Sequence, residues 1–82
     1  MSRASTIRVL VKGTRGDTLR LDMSPQDRIA DVIVAVAERD GIPPRLQCLM
    51  VGGMLLRADR TLADCTLASG VVLHAVLSVR GG

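Results

Sequence analysis

The spacing of apolar residues changes once along this chain, and that change constrains the fold. Residues 7–12 and 18–23 alternate apolar with more polar side chains, and a segment with two glycines, 13–17, separates them. This alternation predicts a β-hairpin. Residues 29–36 instead place isoleucine or valine at i, i+3, i+4 and i+7, which predicts an amphipathic helix. Because glycine favours the position just after a helix, we expect the helix to end at Gly41.

The second half of the chain has shorter strand patterns. Residues 42–44 should be extended and end the helix, because two of them are prolines. Strands are expected at 47–51, 54–56 and 71–79, with a Gly-Gly turn at 52–53 and one helical turn at 61–64. A right-handed crossover through the helix would bring a later strand beside the first. The predicted fold is therefore α+β, with a mixed sheet of about five strands and one main helix packed across it.

The composition excludes several classes of protein. The chain has 82 residues, enough for one domain. It is 48% hydrophobic without any aromatic residue, so its core must be aliphatic and it cannot stack nucleobases on aromatic rings. The basic residues behind the net charge of +3 are scattered among eight acids, as on a solvated surface. We therefore expect no nucleic-acid partner.

Cysteine usage and hydropathy indicate the compartment. Cys48 and Cys65 have no CxxC spacing and only one histidine accompanies them, so neither a metal nor a cofactor is expected. The longest stretch without a charged residue, 65–79, is too short to span a bilayer, and residues 1–6 lack the apolar core of a signal peptide. We expect reduced thiols, a cytoplasmic or nuclear location or both, and no membrane partner.

The chain ends in Arg80-Gly81-Gly82. Because glycine has no Cβ, two terminal glycines place the carboxylate on a slim arm that can enter a narrow enzyme tunnel. A frayed, solvated end is the competing interpretation. These three residues alone favour the frayed end, so the interpretation depends on what precedes them.

From residue 7 to residue 82 the chain resembles ubiquitin and its modifier relatives, without an insertion or deletion. The most specific matches are Gly41-Ile42-Pro43-Pro44, Leu73-His74 with Val76-Leu77, and the terminal Arg80-Gly81-Gly82. The resemblance implies the ubiquitin-like β-grasp fold, which agrees with the element order read from periodicity. It also implies a flexible extension at 1–6, a domain at 7–78 and a flexible conjugation tail at 79–82.

The resemblance further implies that the chain is a protein tag and not itself an enzyme. In that family the terminal carboxylate is adenylated with ATP, carried as an enzyme thioester and joined to a substrate lysine by an isopeptide bond. The conjugated residue would be Gly82 beside Gly81, and the activating enzyme would read Leu77, Ser78, Val79 and Arg80. The expected partners of this monomer are activating, conjugating and ligase enzymes, substrate lysines, receptors and a deconjugating protease.

Three positions point to a subgroup of that family. Ubiquitin has an arginine where this chain has Ser78, and that arginine helps its activating enzyme to select it. The relative that modifies cullins has a small residue there, and Gly70 and Val72 also match that relative better. These three positions favour a neddylation-type modifier, but the sequence leaves open whether the chain is of the neddylation type or of the ubiquitin type.

The resemblance places a partner-binding patch on Met50, His74 and Val76, with Gly53 at its edge. These side chains point the same way if the third and last strands pair, and an exposed apolar spot would result. Met54 would enlarge that spot. Thr14 replaces a leucine of the neighbouring loop and would weaken one edge. An ordinary strand histidine is the competing interpretation of His74.

Lys12 is the only lysine of the chain, which has ten arginines. Chains linked through side chains would have to use Lys12, because arginine is not an amine nucleophile. A genome that favours arginine explains the same count.

The sequence leaves three alternative functions to consider. A non-covalent ubiquitin-like binding module would use the same patch, although the chain's end at Gly82 argues against it. A β-grasp sulfur carrier would use the same diglycine, although Gly-Ile-Pro-Pro and Leu-His-x-Val favour the tag. A Cys48–His74 enzyme is disfavoured, since no residue is evident to orient the imidazole.

Overall fold

Strands and a helix form in the order that the hydrophobic pattern predicts. The computed structural model describes residues 6–77. The elements are β1 at Ile7–Lys12, β2 at Thr18–Met23, α1 at Ile29–Asp40, a 3₁₀ turn at Pro44–Leu46, β3 at Gln47–Val51, β4 at Met54–Leu55 and β5 at Val71–Leu77. β4 ends one residue before the predicted boundary. The proposed extension at 1–6 lies outside the described residues except for Thr6, and so do residues 78–79 of the predicted last strand.

The five strands form one mixed sheet in the order β2-β1-β5-β3-β4. β1 and β5 pair in parallel, with Val9 beside Val71 and Val11 beside Leu73, whereas the other neighbours are antiparallel. The first and last strands therefore meet at the centre of the sheet. This is the expected α+β architecture, and it confirms the fold predicted from the sequence.

The core lies between α1 and one face of the sheet. α1 contributes its predicted stripe, and the sheet contributes residues that alternate along β1, β3 and β5. The fully or nearly buried set is Val9, Val11, Ile29, Val32, Ile33, Val36, Leu49, Leu56, Leu62, Leu73 and Ala75. Leu77 follows Leu73 and Ala75 on the same face of β5, but it is 52% exposed because it lies at the end of the strand. The core is aliphatic, as the composition requires.

A polar contact fixes the segment that follows α1. Asp40 Oδ1 accepts hydrogen bonds from the Ile42 amide at 3.0 Å and from Gln47 Nε2 at 3.2 Å. Gln47 Nε2 also donates to the Ile42 carbonyl at 3.0 Å, and the Gln47 side chain is buried. Most buried polar groups in proteins have a hydrogen-bond partner of this kind. The contact holds residues 41–44 against the start of β3.

α1 ends at Gly41, which has a φ of 77° and donates its amide to the Ala37 carbonyl at 2.8 Å. We expect Gly41→Ala to lower the free energy of unfolding by about 1–2 kcal/mol, because a Cβ disfavours this left-handed conformation. Urea titration followed by circular dichroism measures the change. Gly13→Ala is the matched control, since its Cβ would lie 3.6 Å from the Asp17 carbonyl oxygen, an ordinary contact, and Gly13 has no positive φ. Equal losses in both variants would contradict the explanation.

Candidate binding surface

One row of paired residues crosses four strands of the sheet. Lys12 of β1 pairs with His74 of β5, His74 pairs with Met50 of β3, and Met50 pairs with Leu55 of β4. The sequence neighbours Val11, Leu73, Leu49 and Leu56 are all buried. Since successive strand residues point to opposite faces, the row faces away from α1. The structure thus brings the predicted Met50 and His74 together on the open face.

A second pair extends this row toward the end of β5. Cys48 lies opposite Val76, and the Cys48 thiol is 3.8 Å from the Val76 carbonyl oxygen. Both side chains are half-buried and face the same side as Met50. We call the set Lys12, Cys48, Met50, Leu55, His74 and Val76 the outer-face patch. Cys48, Met50, Leu55 and Val76 are its apolar members, whereas the His74 imidazole and the Lys12 amine lie on its β1 side.

Leu55 is a patch residue that the sequence reasoning missed. The turn at Gly52 and Gly53 has φ values of 56° and 83°, as a two-residue hairpin turn with two left-handed residues requires. Such a turn pairs Val51 with Met54 and Met50 with Leu55. Leu55 is 61% exposed beside Met50. Met54 was expected to enlarge the apolar spot, but its pairing with Val51 places it on the opposite face, so that expectation is wrong. The Gly-Gly dipeptide was the available signal, because its turn type sets the register.

The turn between β1 and β2 borders the patch. A shallow depression is lined by Lys12, Gly13, Thr14 and Gly16 from this turn and by residues 74–77 of β5. Thr14 is exposed there and adds a hydroxyl group at this border. The expected weakening of this edge stays a prediction.

The tail residues predicted to carry the chemistry can be placed only in part. Leu77 is the last described residue and lies exposed at the end of the central strand β5. Ser78, Val79, Arg80, Gly81 and Gly82 lie outside the described residues. The tail therefore follows a strand whose outer face is the patch.

The register also bears on the Cys48–His74 alternative. Cys48 pairs with Val76 and His74 pairs with Met50, so the thiol and the imidazole are diagonal neighbours rather than partners. Diagonal Cα atoms on neighbouring strands are about 7–8 Å apart.

Among residues 6–77, no group of three or more His, Cys, Asp and Glu residues could hold a metal ion. No helix in that part of the chain is long and apolar enough to cross a membrane.

Known proteins share this sequence pattern and fold. The profile of the ubiquitin family matches residues 8–80. The ubiquitin-like protein NEDD8 of Dictyostelium discoideum is 36% identical over 74 residues, which cover 90% of this chain and 96% of that protein. Ubiquitin-like protein 1 of Schizosaccharomyces pombe is 36% identical over 90% of this chain and 95% of its own length. A de novo designed protein based on ubiquitin superposes with a TM-score of 0.83 and 26% identity, covering 94% of this chain and 95% of its own.

Proposed function

Because the chain belongs to the ubiquitin family, we propose that it is a protein modifier of the neddylation type. Its terminal carboxyl group at Gly82 would be joined to lysine side chains of other proteins. The observation that carries this proposal is the match to NEDD8 along 90% of the chain, together with the Arg80-Gly81-Gly82 motif. The domain then supplies an acyl group and a recognition surface.

The proposed chemistry has three steps. The Gly82 carboxylate attacks the α-phosphorus of ATP, which forms an acyl adenylate and releases pyrophosphate. A cysteine thiolate of the activating enzyme displaces AMP and gives a thioester. A substrate lysine then attacks the thioester carbonyl, so that an amide forms and the thiol leaves. The activating, conjugating and ligase enzymes would perform the catalysis, and a deconjugating protease would hydrolyse the isopeptide bond with water, which releases the Gly82 carboxylate and the lysine amine.

The outer-face patch would serve receptors and pathway enzymes. It groups Met50, Leu55 and Val76 on a face that α1 leaves open, and such apolar groups at a surface mark interaction sites.

We assign the domain to residues 7–78, the tail to 79–82 and the extension to 1–6. We further propose that the protein acts as a monomer in the cytoplasm, the nucleus or both.

The patch also supports a second candidate, a non-covalent ubiquitin-like binding module. The same surface could hold a receptor without any use of Gly82. A β-grasp sulfur carrier is the third candidate, because it would adenylate the same carboxylate and convert it to a thiocarboxylate.

We expect the full chain to form a thiol-sensitive thioester with a neddylation-type activating enzyme in the presence of ATP. We expect Ser78→Arg to raise charging by the ubiquitin-type enzyme about tenfold or more, because a charged hydrogen bond contributes about 1.5–3 kcal/mol. Gel shift with and without a reducing agent measures both. The control is the unchanged chain with each enzyme.

Two outcomes would contradict the proposal at different levels. Efficient charging of the unchanged chain by the ubiquitin-type enzyme would overturn the neddylation-type assignment and keep conjugation. Recovery of a terminal thiocarboxylate would favour the sulfur carrier.

A further inference from the structure

Two buried oxygen atoms beside the end of α1 have no hydrogen-bond partner within residues 6–77. They are Asp40 Oδ2 and Gln47 Oε1. The two side chains are already joined, because Gln47 Nε2 donates to Asp40 Oδ1 at 3.2 Å. Gln47 is only 5% exposed, and a buried acceptor without a donor destabilises a fold. This pair of side chains therefore lacks one hydrogen-bond donor.

The orientation of the Gln47 amide is fixed by its neighbours. Its nitrogen donates to the Ile42 carbonyl oxygen at 3.0 Å as well as to Asp40 Oδ1, so a flipped amide would set its oxygen against two acceptors. The Asp40 carboxyl group is fixed as well, since Oδ1 also accepts the Ile42 amide at 3.0 Å. Oδ2 and Oε1 therefore remain the two unpartnered acceptors.

We propose that Asp40 and Gln47 form a proton-binding clamp. When Asp40 takes up a proton from solvent on Oδ2, this O–H donates to Gln47 Oε1, while Gln47 Nε2 still donates to Oδ1. The carboxylic acid and the amide are then joined by two hydrogen bonds in one ring. When the proton is lost, one of these bonds is lost with it. The clamp is a property of the folded domain and does not depend on conjugation of the chain.

A proton suits this place better than a bound water molecule. Both oxygens are shielded from solvent, whereas a bridging water needs a space of about 10–15 Å³ beside them. A proton needs no such space. It also supplies one donor for Gln47 Oε1 and leaves Asp40 Oδ1 with the two bonds that it already accepts.

The charged groups around Asp40 act in both directions. Asp40 lines a cleft whose other charged residues are Arg15, Asp17 and Arg39, and the 3₁₀ turn packed against α1 adds Arg45. The arginines favour an ionised Asp40, whereas Asp17 and the carbonyl end of α1 favour the neutral form. All four of these side chains are exposed, so solvent and salt weaken their effect. The buried hydrogen bond is not weakened in this way, and it decides the direction.

The clamp links stability to pH at the place where the chain enters β3. Gln47 is the first residue of β3 and pairs with Leu77, the last described residue of β5. The protonated clamp has one hydrogen bond more than the ionised one. Its contribution to stability is therefore complete at low pH and is lost as rising pH ionises Asp40.

Asp40→Asn tests the clamp, because an asparagine supplies the missing donor at every pH. Its oxygen can keep the bonds from Ile42 and Gln47, and its Nδ2–H takes the place of the proton. Glu38→Gln is the matched control, since Glu38 is an exposed acid in the same last turn of α1 and the change removes the same charge. Urea titration followed by circular dichroism, at about pH 7 and about pH 4, measures stability on either side of the pH at which aspartate ionises.

We expect Asp40→Asn to raise the urea midpoint at neutral pH by about 0.5 M or more, because it satisfies both buried oxygens. The gain should shrink at acidic pH, where the unchanged chain carries its own proton. Glu38→Gln should shift the midpoint by about 0.2 M or less. An equal gain in both variants, or a gain that does not depend on pH, would overturn the proposal. The absence of any gain would overturn it too, and that result is expected if a water already serves both oxygens.

A second measurement uses the unchanged chain and so does not depend on how the variant folds. The Ile42 amide donates to Asp40 Oδ1, whereas the Leu56 amide donates to the Leu49 carbonyl away from the clamp. We expect the hydrogen-exchange protection of Ile42 relative to Leu56 to rise about threefold or more on acidification. The side-chain amide protons of Gln47 should shift over the same pH range, and both changes should be absent in Asp40→Asn. Gln47 amide protons that do not move, or a ratio that stays constant or falls, would contradict the clamp.

Discussion

Deletion of Gly82 is expected to abolish the higher-mass adducts that the full chain forms in cell extract with ATP. The shortened chain would still end in a glycine carboxylate, but the reacting carbon would be displaced by about 3.5 Å along the tail. A misplacement of about 1 Å already costs on the order of a hundredfold in rate. Immunoblotting of extract reactions with tagged chains, with and without ATP, measures the loss.

Lys12→Arg is the control for this deletion. It should leave adducts with other proteins intact, because it changes the acceptor on the chain and not the acyl group. The circular dichroism of both variants should match that of the unchanged chain. Adducts that persist without Gly82 would contradict conjugation through the terminus. If the full chain forms no adduct but still binds receptors through Met50 and Val76, the non-covalent module replaces the modifier.

Leu49→Ala is expected to cost about 3 kcal/mol or more of unfolding free energy, the range for a buried leucine whose removal leaves a cavity. Leu49 is fully buried in β3, and its backbone carbonyl oxygen accepts a hydrogen bond from the Leu56 amide at 2.9 Å. A domain of this size has only about 4–12 kcal/mol in total. A large share of the stability would therefore be lost. Circular dichroism during urea titration is the suitable measurement, since the chain has no aromatic residue to report by fluorescence.

Leu55→Ala is the matched control for Leu49→Ala. Leu55 lies on the neighbouring strand but is 61% exposed, so its truncation should change stability by about 0.5 kcal/mol or less. Similar losses in the two variants would show that the core is not where the structure places it. The same Leu55 variant also tests the patch, because it should weaken receptor binding without unfolding the domain.

Much of the fold could be predicted because the spacing of apolar residues indicates where each strand and the helix lie. The helix residues Ile29, Val32 and Val36 recur with helical spacing, and all three are buried as expected. Gly41 predicted the helix end because glycine adopts the left-handed conformation that often follows a helix. The element order then restricted the sheet to a few topologies, and the parallel pairing of β1 with β5 is among them.

The features that escaped prediction depend on contacts between distant residues. Gln47 is a buried polar residue whose side chain donates hydrogen bonds to Asp40 and Ile42. No pattern in the neighbouring sequence predicts those two partners. The 3₁₀ turn at Pro44–Leu46 replaces part of an expected extended segment, since the Leu46 amide donates to the Pro43 carbonyl at 2.9 Å. Within the patch, Leu55 required the strand register. The roles proposed for the tail and for Lys12 stay predictions.

The position of β5 between β1 and β3 has a consequence for synthesis on the ribosome. The strand that joins the two halves of the sheet is made after all the other elements that the structure describes. Until β5 leaves the exit tunnel, β1 and β3 each expose an unpaired edge, and such edges promote aggregation. We infer that the domain completes its fold only after β5 has left the exit tunnel, and that nascent chains cut short before Val71 need chaperones to remain soluble.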